Sequence, residues 1–346
     1  MYYTIRSYSE RTKEALSEAI VSDVRNYRAL SGTVSHAVSS IYFGGGTPSE
    51  LNAKRISQLV QELRYSFPIA DDVEITLETF PDLDTASVLR TYADAGITRI
   101  SIGVQSLDIA VLEASRRPTT GLSRISELVD ACHSTGLCVN IDLMYGLPIQ
   151  DKASCLTTLN TIIDARPDHI THYRCVNGPY SAAFRLREIE VFDRMTSEEL
   201  MKVDDEARDL LINRGFHEYA ADHYAISTKS ITIHECGEWM GESVLGLGPA
   251  AMSFMGNTLF KNAPNLGSYR KSMDTGRVIK PITLNQSDTA RRTAILCLTK
   301  LLKIDLSILQ DRYGEDAKGV CEEILRLHDL GHVKKNRPKC IYSASK

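Results

Sequence analysis

The stretch SSIYFGGGTPSEL (39–51) joins a β-branched and aromatic run to a turn of three glycines and a proline, and then to a helix-forming segment. The same order returns four more times, in the runs VEITLE (73–78), TRISIGV (98–104), CVNIDLMYGL (138–147) and HITHYRC (169–175). Apolar periodicity predicts helices between these runs, near residues 50–66, 84–95, 121–135 and 151–165. Strands that alternate with helices in this way are typical of βαβ units, so we predict a parallel sheet that curls into a barrel or partial barrel.

The segments before and after this series predict a further helix and a second module. An apolar stripe that includes Ala15, Ile20 and Val24 predicts a helix over residues 8–28, whereas residues 1–5 are too short for a convincing strand before it. After the series come, in chain order, a predicted helix at 197–213, the run FHEYAADHYA (216–225), a loop with Trp239 and the glycine-rich run VLGLGPAAMSF (244–254). From Asp288 onward, alternating apolar and charged residues predict a small helical or winged-helix-like module.

The composition excludes several classes of protein. The 346 residues are 43% hydrophobic and 24% charged, as in ordinary globular proteins. Lys and Arg number 40 against 44 for Asp and Glu, so the net charge of -4 indicates neither a nucleic-acid partner nor an anionic membrane surface. No uninterrupted apolar stretch approaches the ~20 residues that cross a bilayer. The N-terminal sequence lacks the pattern of a secretory signal, so we expect a cytoplasmic protein.

The eight cysteines are scattered, and the closest pair, Cys132 and Cys138, has five residues between its members. No CxxC, CxxxC or mixed Cys/His zinc spacing occurs in the sequence. In a chain long enough to bury a core, such cysteines are expected to be reduced thiols that pack as small apolar side chains. We therefore predict no metal site.

Ligands of parallel βα proteins bind at the carboxyl ends of the strands, so the residues that end each predicted strand are the candidates for a site. The first strand ends in Gly44, Gly45 and Gly46, whose backbone can approach a ligand closely, and Thr47 and Pro48 complete the turn. Three consecutive glycines exceed what a structural turn needs, which favours a binding function.

The following strands end in polar side chains. Glu78 offers a carboxylate to an ammonium or hydroxyl group, and Gln105 offers an amide. Asp142 lies within an otherwise apolar strand and requires a hydrogen-bond donor there. Arg116 and Arg117, on a predicted helix, provide a guanidinium fork for a carboxylate or phosphate. Together these are the groups of an S-adenosylmethionine site, and another amino-acid nucleotide would fit them equally well.

Five segments carry a resemblance to a known family. They are IYFGGGTPSEL (41–51), EITLETFPD (74–82), GITRISIGVQSLD (96–108), NIDLMYGLPIQ (140–150) and VLGLGPAAMS (244–253). The sequence resembles the radical S-adenosylmethionine superfamily, and within it the oxygen-independent coproporphyrinogen III oxidase group. The resemblance implies an α/β fold with a partial parallel (β/α)6 TIM-like barrel and a smaller helical, winged-helix-like C-terminal domain. We place the barrel at residues 1–225, a connecting segment with the glycine-rich run at 226–285, and the C-terminal domain, expected to be incomplete, at 286–346.

The same resemblance implies roles for the candidate residues. Gly45, Gly46 and Thr47 would line the methionine end of S-adenosylmethionine, and Glu78 would meet its amino or ribose groups. The remaining implied contacts are Arg117 with the carboxylate and Gln105 and Asp142 with the ribose hydroxyls. The implied activity is oxidative decarboxylation of a porphyrinogen in porphyrin biosynthesis, or related radical chemistry, with an electron donor and a [4Fe-4S] cluster.

One departure from the family is specific. Members carry a CxxxCxxC loop between the first strand and the first helix, and its thiolates hold the cluster. Here the predicted first helix begins near Tyr8, no such motif occurs, and we expect a shortened chain whose residues hold no cluster and perform no radical chemistry themselves. A complete parent protein would be active. The segment IHECGEWMGESVLGLG (233–248) also departs from the motif of haem-trafficking relatives.

Two alternatives remain open. One is a cluster-free protein that binds S-adenosylmethionine or a tetrapyrrole without turnover. The other is a radical S-adenosylmethionine methyltransferase.

Overall fold

The computed structural model describes residues 9–30, 36–81, 86–175, 195–275, 279–336 and 341–344. Within this part of the chain, the five predicted strand runs form five strands: Val38–Phe43 (β1), Ile69–Thr79 (β2), Arg99–Gln105 (β3), Cys138–Tyr145 (β4) and His169–Arg174 (β5). Each pairs in parallel with the next, as in Tyr42 with Thr76, Glu78 with Ser101 and Asn140 with His169. The predicted curled parallel sheet is confirmed.

Helices occupy the connections between these strands. They are Asn52–Ser66 (α2), Ala86–Ala95 (α3), Ile109–Ala114 (α4), Leu122–Ser134 (α5) and Lys152–Asp164 (α6). A turn of 3-10 helix at Pro48–Leu51 precedes α2. Carboxylates of Asp108 and Asp151 accept backbone N–H bonds at the starts of α4 and α6, as N-caps do. The first helix, α1, is Glu10–Leu30, and the starts that we predicted at Tyr8 and at residue 84 lie outside the described residues.

A hairpin completes the sheet after helix Ser197–Asn213 (α7). Its strands are His217–Ala220 (β6) and His223–Ala225 (β7), and the sheet order is β1-β2-β3-β4-β5-β7-β6. Because β7 is antiparallel to both β5 and β6, β6 runs parallel to β5 as a sixth βα strand would. The two residues between β6 and β7 allow only an antiparallel connection, so β7 takes the place beside β5.

The two faces of the sheet differ in polarity. One face is apolar and buried, with Ile75, Ile100 and Ile141 each at most 1% exposed, and α5 and α6 pack against β4. The alternate residues on the other face are polar, and they lie beside each other in register. They include Thr76, Arg99, Ser101, Asn140 and His169, all at most 5% exposed. Ser101, Asn140 and His169 bond to one another, whereas Thr76 Oγ1 and Arg99 Nη2 have no hydrogen-bond partner among the described residues.

The chain separates into two compact units. The first contains the seven-stranded sheet and its helices up to Ile231, and the second contains α1, residues 62–68 and the chain from Thr232. The remaining elements of the second unit are Ile233–Trp239 (α8), Met252–Met255 (β8), Thr258–Lys261 (β9), Leu266–Thr275 (α9), Ile279–Thr283 (β10), Gln286–Thr299 (α10), Lys303–Asp305 (β11), Leu306–Tyr313 (α11), Lys318–Asp329 (α12), Val333–Asn336 (β12) and Ile341–Ala344 (β13).

The end of the second unit has the order of a winged helix. Helix α10 is followed by β11, α11, α12 and the strands β12 and β13, which form a sheet in the order β11-β13-β12. The winged-helix-like character is therefore confirmed, with a small sheet among the helices. The predicted loop at Trp239 is wrong, because this residue ends the short helix α8, whose first turn is capped by Thr232. A helix of seven residues is too short to show apolar periodicity.

The glycine-rich run of the second unit is held by side chains of its own unit. The Asn262 amide donates to the carbonyls of Gly246 (2.9 Å) and Gly248 (3.0 Å). The Gly248 N–H donates to the Tyr269 hydroxyl at 2.9 Å, and that hydroxyl donates to buried Asp23. A Cβ on Gly246 would lie 2.3 Å from the carbonyl oxygen of Met252, so glycine is required there by the close approach of two backbone segments.

None of the described helices combines the length and the apolar character needed to cross a lipid bilayer.

We expect Gly246→Ala to destabilise the protein by about 1–3 kcal/mol, because the atom that the new methyl meets is backbone and cannot rotate away. Urea unfolding followed by circular dichroism measures the change. Gly319→Ala is the matched control, since no atom lies within 4 Å of its added Cβ in α12. The control should be as stable as the parent chain or slightly more stable. Equal stability of the two variants would contradict this account of the run.

Candidate functional site

The turn after β1 is joined to the end of β2 through Glu78. The Tyr42 hydroxyl donates to Glu78 Oε1 at 2.8 Å, and the Gly45 N–H donates to Glu78 Oε2 at 3.1 Å. Gly45 and Gly46 have φ of +78° and +121°, which L side chains rarely adopt. No atom lies within 4 Å of a Cβ added at either glycine. The turn therefore presents open backbone beside a carboxylate.

The surroundings of the Glu78 carboxylate disfavour its charged form. Burial raises the pKa of Glu78, the hydrogen bonds from Tyr42 and Gly45 lower it, and the nearby Asp142 carboxylate raises it further. A ligand group that brings hydrogen-bond donors or positive charge would stabilise this carboxylate. An ammonium group does both.

Gln105 ends β3 in an unusual backbone conformation. Its φ is +69°, the register with β4 shifts between Gly103 and Gln105, and its side chain is 5% exposed. A Cβ on Gly103 would lie 3.1 Å from Gln105 Nε2, so the small residue leaves room for the amide to fold back over the strand. The Tyr173 hydroxyl, at the end of β5, donates to Gln105 Oε1 at 3.3 Å.

Asp142 has the donors that its position in an apolar strand required. The Ser101 hydroxyl donates to Asp142 Oδ2 at 3.0 Å, and the Asn140 amide donates to Asp142 Oδ1 at 2.8 Å. Burial raises the pKa of Asp142, whereas the hydrogen bonds from Asn140 and Ser101 lower it. Asp142 is thus a second carboxylate whose charged form is disfavoured by burial.

We predicted that Arg117 lies on a helix, and this prediction is wrong. Helix α4 ends at Ala114, Arg116 follows with a φ of +54°, and the Arg117 N–H donates to the Leu112 carbonyl at 2.9 Å. A non-glycine residue in the left-handed conformation closes the helix here, which the sequence did not indicate. The consequence is that Arg117 projects from the turn after the helix.

Four of the predicted residues meet around Tyr173. Burial raises the pKa of the Tyr173 hydroxyl; the Asp142 and Glu78 carboxylates raise it as well, and the Arg117 guanidinium and the Gln105 hydrogen bond lower it. Gly45 joins this group through Glu78. Gly46 and Thr47 follow on the same turn, where the Thr47 carbonyl accepts the Glu50 N–H at 3.0 Å.

Comparison with known proteins gives the family. The model of the radical SAM superfamily matches residues 11–162, from α1 to α6, and so includes the glycine turn, Glu78, Gln105, Arg117 and Asp142. Over these residues the chain is similar to the radical SAM superfamily. Within the superfamily it resembles the oxygen-independent coproporphyrinogen III oxidases.

Two relatives and one solved structure describe this resemblance. The oxygen-independent coproporphyrinogen III oxidase of Helicobacter pylori is 25% identical over 296 residues, which are 81% of this chain and 64% of the relative. The radical S-adenosyl methionine domain-containing protein 1 of Bos taurus is 29% identical over 241 residues, 68% of this chain and 53% of the relative. The chain thus spans less than two thirds of the length of these relatives. The structure of coproporphyrinogen III oxidase from Escherichia coli superposes with a TM-score of 0.82 at 23% identity, covering 98% of this chain and 81% of that one.

The match to the radical SAM superfamily implies S-adenosylmethionine and a [4Fe-4S] cluster as cofactors. The residues around Tyr173 fit the first, because open glycine backbone, two carboxylates, an amide and a guanidinium match its donors and acceptors.

The described residues do not fit a cluster. Their seven cysteines are free thiols, and burial raises the pKa of Cys132 and of Cys155 to about 12, which opposes a thiolate. No group of three or more His, Cys, Asp or Glu side chains within the described ranges could hold a metal ion. We therefore derive no step through a cluster from this part of the chain.

Sequence reasoning missed three residues of the site. Tyr42 and Tyr173 bond to predicted residues, and Asn140 contacts Asp142. Asn140 lies two residues before Asp142 on β4, and this same-face alternation was the available signal, whereas Tyr42 and Tyr173 lie on β1 and β5, which carry no candidate within the strand. Tyrosine and asparagine are common in strands and turns for structural reasons, so alternation by itself did not single them out.

Glu78→Gln should stabilise the ligand-free protein at neutral pH. Because the pKa of Glu78 is raised on folding, native stability is lost as the pH rises from the unfolded-state pKa through the folded-state pKa. The glutamine variant avoids this loss and should be more stable by about 1 kcal/mol at pH 7. The difference should disappear below about pH 4, where both states of the parent chain are protonated. Urea unfolding at the two pH values measures it.

Glu113→Gln, on the exposed surface of α4, is the matched control and should show no such pH dependence. A Glu78→Gln variant that is less stable than the parent chain at pH 7 would contradict the prediction.

Proposed function

We propose that this chain is the S-adenosylmethionine-binding barrel of a radical SAM enzyme of the coproporphyrinogen III oxidase type. The observation that carries the proposal is the convergence of Glu78, Gln105, Asp142 and Arg117 around Tyr173 at the carboxyl edge of the parallel sheet. This edge is where ligands of parallel βα proteins bind.

Each residue has one task in this proposal. Arg117 forms a fork with the ligand carboxylate, and Glu78 accepts hydrogen bonds from the ligand ammonium group. Asp142 and Gln105 accept the ribose hydroxyls. The backbone of Gly45, Gly46 and Thr47 lines the methionine end, because the open turn admits a ligand close to its peptide groups.

Protein groups already on the site prepare it for this ligand. Tyr42 and Gly45 orient the Glu78 carboxylate, while Ser101 and Asn140 orient that of Asp142. Both carboxylates have a raised pKa before the ligand binds, and donors from the ligand would favour their charged forms. Binding is therefore coupled to the charge of the site.

The substrate that we propose is a small porphyrinogen, with an electron donor as partner. Support comes from the Helicobacter pylori relative, whose name states an oxygen-independent coproporphyrinogen III oxidase. In this superfamily S-adenosylmethionine and a reduced cluster supply radical chemistry. Residues 1–346 contain no CxxxCxxC motif, so we propose that radical turnover depends on cluster ligands that these residues do not provide.

A second candidate is binding of S-adenosylmethionine or a tetrapyrrole without turnover. The observation in its favour is the state of the cysteines, which in the described part of the chain are single free thiols. In this reading the same site residues bind the ligand, and no electron is delivered.

We expect Arg117→Gln to weaken S-adenosylmethionine binding about 10- to 100-fold, the effect of losing a hydrogen bond to a charged group. Isothermal titration calorimetry with the ligand-free chain measures the dissociation constant. Arg116→Gln is the matched control, since it removes the same charge from the exposed neighbouring position. An equal loss in both variants would show a general charge effect and count against a role for Arg117.

Anaerobic reconstitution of residues 1–346 with iron and sulfide separates the two candidates. We expect binding of S-adenosylmethionine, no stoichiometric iron and no reductive cleavage of the ligand. About four irons per chain together with cleavage would overturn the statement that these residues hold no cluster. Restored cleavage in a chain supplied with a CxxxCxxC segment before Met1 would favour the enzyme, and binding without cleavage in that chain would favour the second candidate.

A further inference from the structure

A chain of hydrogen bonds runs along the inner face of the barrel from Asp142 to Tyr219. Asn140 Nδ2 donates to Asp142 Oδ1 at 2.8 Å, and Asn140 Oδ1 lies 2.6 Å from His169 Nδ1. His169 Nε2 in turn lies 2.9 Å from the Tyr219 hydroxyl. The chain connects strands β4, β5 and β6, and only its Asp142 end belongs to the proposed ligand site.

The orientation of the Asn140 amide is determined from both sides. Its nitrogen donates to Asp142 Oδ1 and to the Ser101 hydroxyl oxygen at 2.7 Å, which uses both amide hydrogens. Its oxygen accepts from His169 and, at 3.2 Å, from the Thr171 hydroxyl. A flipped amide would place its NH2 group against these two donors and would withdraw the donor from Asp142.

His169 has a single N–H with which to fix that amide. Burial lowers its pKa well below the ordinary value, and the charges of Arg99 and His223 act in the same direction, so the imidazole is neutral at pH 7. Since Asn140 presents an oxygen, His169 Nδ1 is the donor and Nε2 is the acceptor. The Tyr219 hydroxyl therefore donates to Nε2, and this bond selects the tautomer that faces Asn140.

We propose that His169 and Tyr219 are positioning residues, which hold the Asp142 carboxylate in its binding orientation through the Asn140 amide. The positioning is a property of the ligand-free protein. Its consequence for the ligand ribose rests on the proposed function.

A purely structural network would contribute to stability without controlling Asp142. The two cases differ in one observable, because loss of the Asn140 donor raises the pKa of Asp142, whereas a general loss of stability does not. The strand provides a matched control. His172 is also buried, with a pKa lowered to about 4, but it lies on the opposite face of β5 and stacks on Tyr145 at 4.9 Å.

The experiment compares five chains: the parent, His169→Phe, Tyr219→Phe, His169→Asn and His172→Phe. Carboxyl carbon NMR of the ligand-free protein follows the titration of Asp142. We expect His169→Phe to raise the pKa of Asp142 by about one pH unit, which corresponds to the free energy of one hydrogen bond to a charged group. Tyr219→Phe should raise it less, and His172→Phe should leave it unchanged. His169→Asn should restore the parent value, because its amide keeps a donor near the Nδ1 position.

A second measurement uses S-adenosylhomocysteine and its analogue without the ribose 2′- and 3′-hydroxyls. We expect His169→Phe to weaken binding of the first by about 10-fold and to change binding of the analogue much less, since the lost contact is to a ribose hydroxyl.

The outcomes separate the two proposals. An unchanged Asp142 pKa in both the His169→Phe and Tyr219→Phe chains overturns the positioning role. If His169→Phe does not fold, the titration of Asp142 in Tyr219→Phe decides whether the positioning role holds, because this variant loses only one oxygen atom. If the parent chain binds neither ligand, the proposed ribose contact fails, and the NMR titration still decides whether His169 and Tyr219 position Asp142.

Discussion

The interaction on which the candidate site depends is the two-sided hydrogen bonding of Asn140. One face of the curled sheet is apolar and packs against helices, and several polar residues of the other face bond to one another. Asn140 lies between Ser101 on β3 and His169 on β5, and it is the neighbour of both in register. Its hydrogen bonds to residues of both neighbouring strands orient the amide so that Nδ2 donates to Asp142 Oδ1. Register and hydrogen bonding thus produce the orientation of the Asp142 carboxylate, which we propose binds the ligand.

The glycine turn and the two carboxylates form one electrostatic unit. Glu78 is bonded to the turn through Gly45, and its pKa is raised in part by Asp142. Two half-buried carboxylates are costly to keep charged in the absence of a ligand, because burial raises the pKa of both. A zwitterionic nucleoside with an ammonium, a carboxylate and ribose hydroxyls complements all of them. This is the physical content of the resemblance to the radical SAM superfamily.

The fold and the cofactor chemistry separate in this chain. The chain superposes on coproporphyrinogen III oxidase from Escherichia coli with a TM-score of 0.82, although the sequence identity is 23%. The described cysteines, by contrast, are single thiols, and those buried in the core have raised pKa values. The candidate residues at the strand ends are positioned by the geometry of the sheet. Cluster ligands depend on one local motif, and residues 1–346 do not contain it.

The sequence by itself determined the strand and helix series, the parallel sheet and the candidates Gly45, Glu78, Gln105 and Asp142, because apolar periodicity and strand ends are local properties. It did not determine the hairpin that places β7 beside β5, the left-handed turn that ends α4 before Arg117, or the helix that contains Trp239. These depend on short elements and single backbone conformations, which leave no periodic pattern. Only the tertiary structure brought Tyr173 among the charged residues and linked Asp142 to His169. The physical reason is that side chains far apart in sequence meet only when strand register sets which of them are neighbours.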